Sequence, residues 1–112
     1  MPTAEAPDTP QERVRLIVLD GTCNLESILL HDKASLVGRG PECAIRLYAA
    51  GVSRRHCAFW HDAKGIWMLD LGSRNGTFVN GHSLVFGAIP AGAVIHLGGP
   101  HQAALTVRYL EP

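Results

Sequence analysis

Four short polar clusters concentrate the residues able to do chemistry: Gly38-Arg39-Gly40, Ser53-Arg54-Arg55-His56, Ser73-Arg74-Asn75-Gly76-Thr77 and Asn80-Gly81. Arginine presents planar, bidentate donors that match a phosphate. Serine adds a hydroxyl donor, and asparagine offers both a donor and an acceptor that can hold a peptide backbone. A phosphate near neutral pH carries about −1.5 to −2 charges and three strong acceptors, so it needs several converging donors and positive potential. Arg39, Ser53 and Arg54 supply both in combination. Their chemistry is that of gripping an anion, not of transforming one.

Catalytic readings are weaker. Ser53 and His56 are three residues apart, but Ser53 lacks the Gly-x-Ser-x-Gly elbow, and nothing places an oriented acid behind His56. Cys57 and His61 share one face of an extended strand by period two, yet no further ligand pair stands nearby, so a zinc site is poorly supported. The expectation is therefore no catalytic residue, no metal and no cofactor.

These clusters must be held by something, and the rest of the chain points to strands. With 112 residues there is room for one domain; 46% hydrophobic and 18% charged residues fit a soluble globular fold. Residues 1–12 hold Pro2, Pro7 and Pro10 among small and acidic residues and read as a flexible tail, leaving 13–112 as the domain. From Arg13 onward, short apolar runs alternate with glycine, and no window carries a helical stripe of three turns. Ten strands are expected: 13–19, 25–30, 35–39, 44–46, 56–61, 66–70, 77–79, 82–85, 94–97 and 104–110. Asn80-Gly81 predicts a type I′ hairpin turn, because both central residues of that turn need positive φ. So many short strands suggest a sandwich or barrel. Phe59, Trp60, Trp67 and Phe78 read as packing in its core or on its sheet faces.

The net charge is zero, which removes the global basic field expected of a nucleic-acid binder. Charge is nonetheless uneven. Residues 39–74 hold six basic side chains (Arg39, Arg46, Arg54, Arg55, Lys64, Arg74) against three acidic ones (Glu42, Asp62, Asp70), a local +3. Three cysteines without a CxxC pair read as free thiols in a reducing compartment, and no stretch is long and apolar enough to span a membrane. A cytoplasmic protein without a membrane partner is expected.

Gly38-Arg39, Ser53-Arg54-Arg55-His56, Asn75-Gly76 and Asn80-Gly81, in this order and spacing, resemble the forkhead-associated (FHA) domain over about residues 36–81. The resemblance implies an all-β, eleven-stranded antiparallel sandwich that recognises phosphothreonine in a partner protein, the substrate of a Ser/Thr kinase, and so mediates phosphorylation-dependent interactions in signalling or regulation. It implies that Arg39 and Ser53, with Arg54, bind the phosphate, and that Arg74 and Asn75 meet the peptide. Gly38, His56 and Gly76 would brace the loops from behind. Arg46 lies close enough to add peptide selectivity, and Arg55 reads as a surface charge. A rival is an FHA-like scaffold that binds without phosphate, although Arg39, Ser53 and Asn75 occurring together argue against it. Thr3 and Thr9 raise a further idea, a phosphorylated tail folding back into the site.

Overall fold

The computed structural model describes residues 13–110; the expected tail, with Thr3 and Thr9, lies outside them. Eleven strands run in chain order: β1 (Arg13–Asp20), β2 (Ser27–Leu29), β3 (Ser35–Gly38), β4 (Ile45–Arg46), β5 (Cys57–Asp62), β6 (Gly65–Asp70), β7 (Thr77–Val79), β8 (His82–Ser83), β9 (Phe86–Ala88), β10 (Val94–Leu97) and β11 (Ala104–Leu110). They form two sheets, ordered β2-β1-β11-β10-β7-β8 and β4-β3-β5-β6-β9.

The sandwich follows from period-two patterning. Val14 and Leu16 of β1, Leu105 and Val107 of β11, and Ile95 and Leu97 of β10 are fully buried from one sheet. Val37, Ile45, Phe59 and Met68 meet them from the other. Between them, alternate residues point outward. Burying a side chain such as Phe59 contributes about 1.5–3 kcal/mol, so these paired inner faces dominate the stability. Because Phe59 and Met68 are paired and face inward, Trp60 and Trp67, also paired, lie on the outer face of the five-stranded sheet. There they pack beside Phe86, with ring centroids 6.2 and 6.0 Å from it.

The Asn80-Gly81 turn is as expected: φ is +50° and +83° at its two residues, and Val79 pairs with His82. Two details differ from the sequence reading. The expected strand 82–85 ends after Ser83 as β8, and a separate strand, β9, follows it in the other sheet. After Ser83 the chain crosses over, with Leu84 N–H bonding Thr77 O and Asp70 N–H bonding Val85 O, and continues as β9 against β6. Phe86-Gly87-Ala88 carries no alternating pattern, which is why β9 was not anticipated. The other detail is that β4 runs parallel to β3, an exception within otherwise antiparallel sheets. The chain winds tightly through residues 39–44, where Cys43 N–H bonds Gly40 O, and re-enters the sheet in the same direction.

Candidate functional site

Three loops meet at one end of the sandwich: 39–44 after β3, 47–56 before β5 and 71–76 between β6 and β7. The first two are zipped by backbone bonds from Arg39 N–H to Ser53 O and from Gly40 N–H to Arg54 O, both 2.9 Å. This approach is possible only because residue 38 is glycine. A Cβ there would sit 2.5 Å from Arg54 O and 2.8 Å from Ser53 O, inside any tolerable contact.

His56 joins the second loop to the third. It is fully buried; its Nδ1 accepts from Ser53 N–H at 3.0 Å, and its Nε2 lies 2.8 Å from Gly76 O. Since Nδ1 accepts, Nε2 must carry the proton and donate it. Protonating Nδ1 would break the bond to Ser53, and burial holds the imidazole pKa below its ordinary value despite the favourable Gly76 carbonyl and Asp70 carboxylate. Both ring nitrogens are committed to the backbone. Gly76, at φ +88°, also accepts from Gly98 N–H at 3.1 Å, which ties in the loop after β10.

The third loop is organised by a residue the sequence reading passed over. Asp70 accepts from Gly72 N–H (2.9 Å), Ser73 N–H (2.8 Å), Ser73 Oγ (2.6 Å) and Thr77 Oγ1 (2.7 Å). Burial alone would raise its pKa, but these donors outweigh it and hold the carboxyl below the ordinary value. Ser73 Oγ in turn accepts from Gly76 N–H at 3.0 Å. The spacing Asp70, Ser73, Thr77 carried a usable signal, since short polar side chains fold the backbone of the next few residues by such bonds.

Arg39, Ser53, Arg74 and Asn75, together with Ala50, Gly51 and Val52, line a shallow depression of ≈ 100 Å³. Arg39 Nε donates to Val52 O at 3.0 Å, which fixes the guanidinium plane and leaves its terminal amino groups as donors. Ser53 Oγ accepts from Arg74 N–H at 3.0 Å, so its own proton is left to donate elsewhere. Asn75 Nδ2 donates to Gly51 O at 3.0 Å and keeps Oδ1 as an acceptor. Arg54 is exposed and is not part of the lining, although its carbonyl ties the loops through Gly40 N–H and Cys43 Sγ. Arg55 is also exposed, with Nε 3.8 Å from Glu42 Oε2. Gly38, His56 and Gly76 stand behind the depression as described.

Fold and site together define an all-β module whose end loops present a rigid, donor-rich concavity. A family model for the FHA domain matches residues 35–98, and the chain belongs to that family. It is 38% identical over 69 residues to the FHA domain-containing protein FhaA of Mycobacterium tuberculosis, covering 62% of this chain and 13% of FhaA. It is 35% identical over 71 residues to the oxoglutarate dehydrogenase inhibitor of Corynebacterium jeikeium, covering 63% of this chain and 49% of that protein. The chain thus spans half or less of the curated relatives it matches. A solved structure from work on phosphothreonine-dependent FHA domain interactions superposes with a TM-score of 0.76 at 33% identity, over 89% of this chain and 98% of that one.

Proposed function

We propose that this chain is a binding module for phosphothreonine peptides, mediating phosphorylation-dependent association with a protein modified by a Ser/Thr kinase. One observation carries the reading: the residues lining the depression include two arginines, a serine and an asparagine and no carboxylate. In this assignment Arg39 and the Ser53 hydroxyl bind the phosphate, and Arg54 closes over it from the rim. Arg74 and Asn75 engage the peptide. The solved FHA domain with phosphothreonine-dependent interactions supports it. Charge-assisted hydrogen bonds contribute about 1.5–3 kcal/mol each before desolvation and ordering costs, so dissociation constants near the micromolar range are expected.

A binding role rather than an enzymatic one is supported by His56, whose two ring nitrogens are taken by Ser53 N–H and Gly76 O and cannot serve as a base for Ser53 Oγ. The thiols of Cys23, Cys43 and Cys57 are unpaired, which supports a reducing, cytoplasmic setting. Among the described residues, no helix is long and apolar enough to cross a membrane.

Isothermal titration with a phosphothreonine peptide library against dephosphorylated controls tests the reading. Binding is expected for phosphopeptides alone, and Arg39→Ala should weaken it by at least tenfold at unchanged melting temperature. Equal binding of both peptide forms would instead favour the phosphate-independent scaffold and overturn the proposal.

A further inference from the structure

The two edges of the five-stranded sheet are finished differently. At β4, Asn24 from the loop after β1 stands in for a further strand: Arg46 N–H donates to Asn24 Oδ1 at 2.7 Å, Asn24 N–H to Arg46 O at 3.3 Å and Asn24 Nδ2 to Ala44 O at 3.4 Å. The β9 edge carries no such cover. Asp70 N–H bonds Val85 O at 2.6 Å, Ile89 N–H bonds Ile66 O at 2.8 Å, and Gly87 lies opposite Met68 midway between them. Bonding positions alternate in an antiparallel ladder, so Val85, Gly87 and Ile89 turn their backbone groups to β6, while Phe86 and Ala88 turn theirs away from the sheet. Edge strands are ordinarily blunted by charge. Here no Asp, Glu, Lys or Arg stands between Arg74 and Arg108, and Val85 and Phe86 are 67% and 56% exposed. Pro90 and the brevity of β9 confine the bare stretch to these few residues.

This edge is complementary to itself. When a second β9 is set antiparallel about a two-fold axis at Gly87, Phe86 comes opposite Ala88 of the second copy and Ala88 opposite its Phe86. Every free N–H and C=O of the two residues then closes a hydrogen bond. On the outer face a large ring meets a small methyl. Because Ala88 is paired with Trp67, the ring of Phe86 also joins the Trp60 and Trp67 cluster of the second copy. The electrostatics favour the same occupant. Identical flanks usually repel through like charges, but these carry none, and the chain's net charge is zero.

We propose that β9 is a self-pairing edge through which two copies of this chain form a two-fold dimer with one sheet continuous across both. The two depressions lie at opposite ends of that sheet, because the 71–76 loop follows the end of β6 that meets Val85. Such a dimer links two phosphorylated proteins and does not grip one twice. That consequence, unlike the pairing, rests on the phosphothreonine reading.

Sedimentation of the full chain from about 10 µM to about 1 mM, the range of small transient interfaces, tests the pairing, with amide exchange followed by NMR on the same samples. Self-association should rise with concentration, and exchange at Phe86 and Ala88 should slow several-fold with it. Ala88→Pro removes an N–H that β6 does not use, so it should abolish both effects at unchanged melting temperature. Ala88→Lys leaves the backbone alone and sets a charge at the seam; it should act the same way, and it carries the test if the proline variant melts early. Leu19→Ser trims another exposed apolar side chain, in the other sheet, and should leave association unchanged. Association that survives both Ala88 variants places the contact on another surface, and a chain that stays monomeric leaves the edge to an unrelated strand or to water; either result overturns the proposal. So does protection of Phe86 and Ala88 that ignores concentration, which means that a segment of the same chain covers them. None of these measurements uses a peptide, so their failure leaves the phosphothreonine reading untouched.

Discussion

The strand pair β5–β6 has an aspartate near each end, and the two do similar local chemistry with different reach. Asp62 Oδ1 accepts from Lys64 N–H (2.9 Å), Gly65 N–H (3.2 Å) and Trp67 Nε1 (2.9 Å), and its partners all lie within five residues. It folds a hairpin turn and nothing more. Asp70 also captures nearby donors, but its bonds to Ser73 and Thr77 shape a loop whose Gly76 carbonyl receives His56. From His56 the connection passes to Ser53, and from the backbone of Ser53 to Arg39. A carboxylate becomes functional here through where its loop is anchored, not through its own strength as an acceptor.

Substitution at the two positions is the direct way to break this contrast. Asp70→Ala strips partners from two backbone N–H groups and two hydroxyls. A loss of about 2–3 kcal/mol is expected, softened from a fully buried case by partial exposure. Phosphopeptide affinity should fall by at least tenfold with it, although Asp70 touches no part of the depression. Denaturant melts and titration of the same sample check both. A variant that melts early yet binds normally at low temperature would show that the loop does not depend on Asp70.

The pH dependence sharpens the contrast at its next link. Because the folded pKa of His56 is lowered, the unfolded chain binds a proton first as pH falls through the ordinary value near 6.5. The stability held by neutral His56 is therefore complete above that pH and lost below it. Asp70, also lowered, contributes stability that is present above the ordinary carboxylate value near 3.9 and lost as pH falls further. Melting temperature should decline in two stages, and His56→Gln should remove the contribution of His56 to the upper one. An unchanged slope between about pH 7 and 5.5 in His56→Gln would contradict the imidazole's assigned role.

The smallest effect is expected at the other end. Asp62 is also held below its ordinary pKa, first by Trp67 Nε1 and then by Lys64 N–H, but its turn is open to solvent, which can replace the lost partners. Asp62→Ala should lower the melting temperature much less than Asp70→Ala and leave phosphopeptide titrations unchanged. Equal losses of binding in the two variants would erase the distinction between a local turn and a relayed one.

What could be read from sequence divides along the same line. The Asn80-Gly81 turn was legible because its chemistry is local: two residues with positive φ and a short strand on each side. The polar clusters around Arg39, Ser53 and Asn75 were legible as types, and the structure brings these three onto one depression. Arg54 was placed with them by adjacency to Ser53, yet its side chain stands outside the lining. Asp70 escaped notice because its importance lies in what Gly76 does for His56, twenty residues earlier in the chain. β9 escaped because Phe86-Gly87-Ala88 is a strand only through its pairing with β6.

Most bonds that knit the loops end on main-chain carbonyls: Gly51, Val52, Ser53, Arg54 and Gly76. A carbonyl is indifferent to the side chain beside it. The frame therefore leaves Ala50, Arg54 and Arg55, all exposed, open to exchange without loss of the supporting bonds. Varying those three positions in a library, with Gly38, His56 and Asp70 kept fixed, is a route to binders of altered peptide preference on an unchanged scaffold.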